Sequence, residues 1–161
     1  MATPVLKAIL FMGLQASGKS TFYHRFMSEY VHINLDSLHT RNKERILLTS
    51  CLEEQRSFVV DNTNPLAEDR ARYIKAAREY GYEVEGYFFQ SILSVCLERN
   101  RSRTGKARVP DIALAGTSKR LEMPSVAEGF DRLWFVRMEH GIFIVEPWLD
   151  KDTRETGGGN V

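Results

Sequence analysis

Cysteine is nearly missing from this chain: the 161 residues hold only Cys51 and Cys96. Both fall in apolar patterns of helical spacing. That excludes a disulfide-stapled scaffold and predicts core-filling thiols in a protein of the reducing cytoplasm. Long hydrophobic runs are missing too, and none approaches the roughly 20 residues that a bilayer crossing requires. The opening MATPVLKAILFMG has one lysine before a short apolar run and no separate cleavage segment, so it predicts a first strand rather than a leader. The histidines, His24, His32, His39 and His140, have no ligand spacing and no cysteine partners, which argues against a zinc site. Charge of one sign is not in excess either. The chain has 22 basic and 21 acidic side chains, a net charge of +1 that does not announce a nucleic-acid partner. With 43% hydrophobic and 27% charged residues, composition excludes a disordered chain and fits one domain with a real core.

What the chain does have is alternation. Short β-rich runs (VLKAILFM, VHINLD, SFVVDN, EVEGYFF, LWFVRM and GIFIVEP) are separated by longer stretches of helical period. This pattern predicts an α/β domain with a mostly parallel central sheet flanked by helices. Helices are expected from Lys19, from about Ser37 to Glu54, from Pro65 to Tyr80 with Asn64 as cap and Gly81 as stop, and from about Ile92 to Arg103. RTGKARVP breaks the last of these before a short helix from Asp111 to Leu121. The final two strands read as a hairpin. Residues 1–150 are expected to form a single domain, and the polar, glycine-rich KDTRETGGGNV at 151–161 to be a disordered tail. Trp134 and Trp148 are expected to pack rather than to stack on bases.

Residues 11–21 read FMGLQASGKST, and Gly13-x-x-x-x-Gly18-Lys19-Ser20 matches the phosphate-loop pattern. Context supports it, with a strand before and a helix after, whereas an ordinary glycine turn would not need the Lys-Ser pair. Gly13, Ala16, Ser17, Gly18, Lys19, Ser20 and Thr21 form the candidate triphosphate cradle. Its amides and the helix N-terminus favour an anion. Lys19 would reach the β- and γ-phosphates and Ser20 would hold Mg²⁺. Asp36 closes VHINLD and Asp61 closes SFVVDN, so in a parallel sheet both would sit on the edge where open α/β sheets bind ligands. A carboxylate there can orient an attacking hydroxyl and take its proton, or hold the waters of a metal ion.

Further along, Arg99, Arg101, Arg103, Lys106, Arg108, Lys119 and Arg120 stand against a single acid, Asp111. A solvated helix face would explain an average charge run. This one follows the fourth strand and a helix, where a lid over a triphosphate would lie, so residues 99–120 are read as a short basic lid. Arg41 and Arg45, four apart on one helix face, are either ordinary exposed arginines or contacts to an acceptor phosphate.

Taken in order, GLQASGKST, VHINLD, FVVDNTNPLAEDRARYIKAAREYGY, RNRSRTGKARVPD and KRLEMPSVAEGF resemble the P-loop kinase module of the polynucleotide kinase family. That family phosphorylates 5′-hydroxyl ends of DNA or RNA. The resemblance covers about Leu6 to Val136 and implies a three-layer P-loop NTPase/kinase fold that uses ATP and Mg²⁺. It implies Asp36 as general base on the acceptor hydroxyl, and Lys19 and Ser20 as the loop lysine and the metal-linked hydroxyl. Asp61 would support the metal. Arg103 would be the lid arginine that neutralises the transferring phosphate, with Arg101, also a candidate nucleotide contact, a close competitor for that role. Leu35 stands where characterised members often have arginine, His39 where some carry an acceptor-binding arginine, and Gln15 in place of a common proline. The first two lower the positive charge on the acceptor side. A small-molecule kinase, or an ATP-binding regulatory module without transfer activity, are the alternatives.

Overall fold

The structure, a computed structural model, describes residues 4–149, so the expected tail at 151–161 lies outside the described residues. Six strands form one sheet in the order β2-β3-β1-β4-β5-β6. They are β1 (Lys7–Met12), β2 (Val31–Ile33), β3 (Phe58–Asp61), β4 (Glu83–Phe89), β5 (Arg132–Glu139) and β6 (Ile142–Pro147). β1 to β5 are mutually parallel, and β6 returns antiparallel along β5 as the expected hairpin. The α/β reading therefore holds.

β1 is apolar at nearly every position because it is the centre of the sheet, buried on both faces. Its period of two divides the core. Ala8, Leu10 and Met12 face one layer with Phe58, Val60, Tyr73, Ile74, Phe88 and Trp148. Ile9 and Phe11 face the other with Phe22, Tyr23, Val59 and Phe89. Here the Phe11 ring meets Phe22 and Phe89 edge-on, at centroid distances of 5.9 and 4.9 Å. The helices that supply these layers are α1 (Lys19–Phe26) on one side and α3 (Arg41–Glu53) and α4 (Ala67–Glu79) on the other. A third, smaller cluster of Leu14, Ala16, Cys96 and Leu114 packs α5 (Leu93–Arg101) and α6 (Asp111–Arg120) against the phosphate loop. Both cysteines are free and buried. Trp148 packs on Phe88 and Phe135, and Trp134 stacks on Tyr87.

Three boundaries differ from expectation. The strand in VHINLD stops at Ile33 and Asp36 lies in a one-turn helix, α2 (Leu35–Leu38). Asn34 accepts a hydrogen bond from the Ser37 amide at 3.0 Å, and this cap overrides the apolar alternation. The helix expected from Ser37 to Glu54 is consequently broken. His39 takes a left-handed conformation (φ 71°) and Thr40 caps α3 by accepting from the Lys43 amide. The third helix starts at Ala67 rather than Pro65, and Asn64 does not cap it: its side-chain amide donates to the Phe11 carbonyl at 2.7 Å. Asp69 instead accepts from the Leu66 amide at 3.2 Å.

Two of the sequence runs singled out above meet in the core. Arg70, in RARYI, is fully buried and pairs with Glu128, in AEGF, at 2.9 Å. Its guanidinium also donates to the Glu122 carbonyl at 3.1 Å, so α4 is bolted to the segment that leads into β5. Burial lowers the Arg70 pKa, with Glu128 opposing that shift. Removing one partner of such a pair strands a charge in the core. Glu128→Gln is expected to destabilise the fold by about 3 kcal/mol, read from the midpoint of urea unfolding.

Candidate functional site

The parallel strands bring their C-terminal ends to one edge, and the phosphate loop occupies its centre. The register pairs Phe11 with Asp61, so the strand that feeds the loop lies directly beside the strand that ends in the carboxylate. The loop is held from three sides. The Gly13 amide donates to the Thr63 carbonyl at 3.0 Å, the Leu14 amide to the Ser91 hydroxyl at 3.0 Å, and Asn64 to Phe11 as above. Two glycines are required by its shape. Gly13 (φ +142°) would bring a Cβ within 2.9 Å of the Phe89 carbonyl, and Gly18 (φ +101°) would bring one within 3.1 Å of the Phe143 ring.

Lys19 folds back over the loop. Its ammonium donates to the Gly13 and Leu14 carbonyls at 3.0 and 2.6 Å and to the Ser17 hydroxyl at 3.3 Å. Burial lowers its pKa to about 8, opposed by the charge of Asp61. Gly18 caps α1 without a side-chain bond, so the amides of the first turn have no cap competing for them, and Ser20 and Thr21 are exposed there. An anion suits that position.

Asp61, 2% exposed, gathers the rest. One of its carboxylate oxygens accepts from the Ser20 hydroxyl at 2.7 Å and lies 2.7 Å from His32 Nε2. Burial pushes its pKa upward, but His32, the Lys19 charge and the Ser20 hydroxyl together outweigh that and hold it below the ordinary carboxylate value. The His32 ring is stacked on Tyr23 at 3.9 Å, which fixes its approach. The Asp61 backbone carbonyl accepts from Asn34 at 2.7 Å, tying the start of α2 to the end of β3. Asp36, in the first turn of α2, is exposed.

Arg103 lies just past the end of α5, half-buried, its guanidinium donating to the Ala107 carbonyl at 3.3 Å. The basic segment turns through a short 3₁₀ stretch, Gly105–Ala107. Asn100 pins it, donating to the Val109 carbonyl at 2.6 Å and accepting from the Val109 amide at 3.0 Å. Arg101 is exposed and faces Asp111 across 4.0 Å. The structure thus brings Lys19, Ser20 and Asp61 together. Asp36 and Arg103 lie within electrostatic reach of Lys19, whereas Arg101 is turned toward α6.

The surroundings of some residues at this edge had no sequence signal. His32 was passed over for lack of ligand spacing, yet it faces Asp61. Arg99 lines a cavity of ≈130 Å³ beside Ser17, with Ile92, Val95, Met138 and Phe143. Glu44 is a buried acid in a helix that reads as amphipathic. None of these settings follows from local pattern, because each includes partners distant in sequence.

Residues 9–124 match the model of the AAA domain. The chain belongs to the AAA domain family. This AAA domain is 31% identical over 127 residues to the bifunctional polynucleotide phosphatase/kinase of Schizosaccharomyces pombe, covering 76% of the chain and 31% of that protein. It is also 31% identical over 133 residues to a putative bifunctional polynucleotide phosphatase/kinase of Acanthamoeba polyphaga mimivirus, covering 78% and 32%. The domain thus spans about a third of the length of these curated relatives, and the resemblance read from the motifs is upheld. Among solved structures, a gluconokinase from Sinorhizobium meliloti 1021 superposes with a TM-score of 0.59 at 23% identity, covering 84% of each chain. A structure of the PezAT toxin-antitoxin system of Streptococcus pneumoniae gives 0.65 at 14%, covering 96% of this chain and 78% of that one. At such identities the likeness speaks for the fold, and it agrees with the P-loop kinase fold expected. Because Gly18 is conformationally required and crowded by Phe143, Gly18→Ala is expected to weaken binding of a fluorescent ATP analogue by at least about tenfold, measured by titration.

Proposed function

We propose that this AAA domain is an ATP- and Mg²⁺-dependent phosphotransferase that moves the γ-phosphate of ATP to a hydroxyl, and that the acceptor is the 5′-hydroxyl end of a polynucleotide. The observation that carries the reading is the convergence of opposite charges at one sheet edge. The Lys19 ammonium folds over the loop carbonyls at 3.0 and 2.6 Å, and the next residue, Ser20, donates to the buried Asp61 carboxylate at 2.7 Å, beside a loop shaped for a triphosphate. The names of the two curated relatives support the polynucleotide acceptor.

In this reading the amides of Ala16, Ser17, Gly18, Ser20 and Thr21 cradle the phosphates, with Gly13 giving the loop its turn. Lys19 exchanges its loop carbonyls for phosphate oxygens. Ser20 and Asp61 would hold Mg²⁺. A hydroxyl and a carboxylate 2.7 Å apart are the hard oxygen donors this ion takes when phosphates and water complete its shell. Mg²⁺, when bound, neutralises charge on the β- and γ-phosphates. Asp36 orients the acceptor hydroxyl and accepts its proton as the new P–O bond forms. Arg103 supplies charge to the transferring phosphoryl group; Arg101, which faces Asp111 across 4.0 Å, would have to leave that partner to reach the nucleotide. Arg41 and Arg45 are exposed and could turn to an acceptor phosphate from their present partners, Glu44 and Asn42. The two buried free thiols, Cys51 and Cys96, suit a reducing cytoplasm. No helix among the described residues is long and apolar enough to cross a membrane.

Incubation with γ-labelled ATP and a panel of 5′-hydroxyl oligonucleotides tests the acceptor. Label is expected on the 5′ end, with binding that weakens steeply as salt rises. Label on sugars or nucleosides instead would indicate a small-molecule kinase, and ATP binding without transfer to anything a regulatory module. Asp36→Asn is expected to leave the Kd for ATP within threefold and to slow transfer by roughly 10² or more. Arg103→Ala is expected to lower kcat by about 10³, read under saturating ATP.

A further inference from the structure

α2 is a single turn, and one turn of helix does not hold itself in place. It carries Asp36, so whatever anchors it also aims that carboxylate. One anchor is the bond from Asn34 to the Asp61 carbonyl described above. The other is less obvious. The amide of Leu35, the first residue of α2, donates to Asn62 Oδ1 at 2.9 Å. The other end of the same side chain, Asn62 Nδ2, donates to Glu44 Oε2 at 2.8 Å.

Glu44 is only 3% exposed and is itself fixed. Its Oε1 accepts from the Tyr73 hydroxyl at 2.8 Å and from Arg41 at 3.0 Å, with Arg72 at 3.6 Å. An ionised carboxylate only accepts hydrogen bonds, so it admits the NH₂ end of Asn62 and refuses the oxygen. That choice leaves Oδ1 facing Leu35, whose backbone N–H, a donor of the helix start with no partner inside the helix, can only donate. The polarity of the chain Glu44, Asn62, Leu35 is therefore dictated from its buried end.

The geometry points to Glu44 and Asn62 as a positioning relay that aims Asp36 through the backbone of α2. This deepens the reading of Asp36 as the base and rests on it. Neither relay residue touches the reacting groups. The relay acts on the placement of α2, and hence on kcat, rather than on the nucleotide.

Reversing the relay tests it. Asn62→Asp sets two carboxylates face to face and is expected to lower kcat for oligonucleotide transfer at least tenfold, with the KM for ATP within twofold. Adding Glu44→Gln restores a donor and acceptor in the opposite sense. The amide introduced by the second substitution would donate to the carboxylate introduced by the first, and that carboxylate would still accept from the Leu35 amide. The double variant is expected to recover kcat to within threefold of the parent. In an Asp36→Asn background, Asn62→Asp is expected to cause no further loss of rate. A parallel readout is independent of turnover. Hydrogen exchange at the Leu35 amide, followed by NMR with ¹⁵N-leucine, is expected to quicken at least tenfold in Asn62→Asp and to slow again in the double variant.

Unchanged exchange at Leu35, failure of the second substitution to rescue, or an equal loss of rate with and without Asp36 would each overturn the relay. If Asp36→Asn itself retains transfer, the base reading falls and the exchange measurement alone decides whether Glu44 and Asn62 fix α2.

Discussion

Much of this site hangs on one buried carboxylate. Asp61 sits where a central strand ends, out of water, and is kept charged by the groups converging on it. Its side chain joins the helix that follows the phosphate loop, through Ser20, to the neighbouring strand, through His32. Its backbone carbonyl fixes the start of α2 through Asn34. A buried charge of this kind is tolerated only if its lone pairs are satisfied. Satisfying them draws α1 and β2 to the end of β3, and the loop lysine completes the cluster with the opposite charge.

The order of elements and the phosphate loop were legible in the sequence because both depend on local rules. Alternating apolar runs make strands, periods near four make helices, and a loop that must turn amides toward an anion needs glycine at positions such as Gly13 and Gly18. Asp61 was legible as a strand end for the same reason. Asp36 was misread as a strand end because the pattern of Val31, Ile33 and Leu35 runs straight through Asn34. The asparagine's competence as a helix cap prevailed over that alternation. Asn64 was misread in the opposite sense: a good capping residue beside Pro65 bonds instead to the carbonyl of Phe11, which no local pattern reveals.

The long-range parts were legible only through family resemblance, if at all. RARYI and AEGF carried recognition, but the physical reason for them emerges from packing, where Arg70 in one finds Glu128 in the other. Glu44 carried no signal, since an acid among the polar residues of α3 reads as surface. Its burial depends on Tyr73 and Asn62, which come from α4 and from the end of β3. The basic run at 99–120 was legible as charge, but the sequence did not separate its arginines. In the fold Arg103 is half-buried within electrostatic reach of Lys19, while Arg101 turns to Asp111.

The contact between Phe143 and Gly18 ties the final strand of the sheet to the first loop of the chain. β6 pairs with β5 alone, at the edge of the sheet, yet its ring forms a wall of the nucleotide loop. Contacts between such distant stretches of chain are slow to form, because the intervening loop must close first. The loop precedes the hairpin in the chain, while its surroundings are complete only when the hairpin docks. The wall of the phosphate loop is therefore finished only once β6 has docked, and a chain that still lacks β6 carries the motif without its finished surroundings.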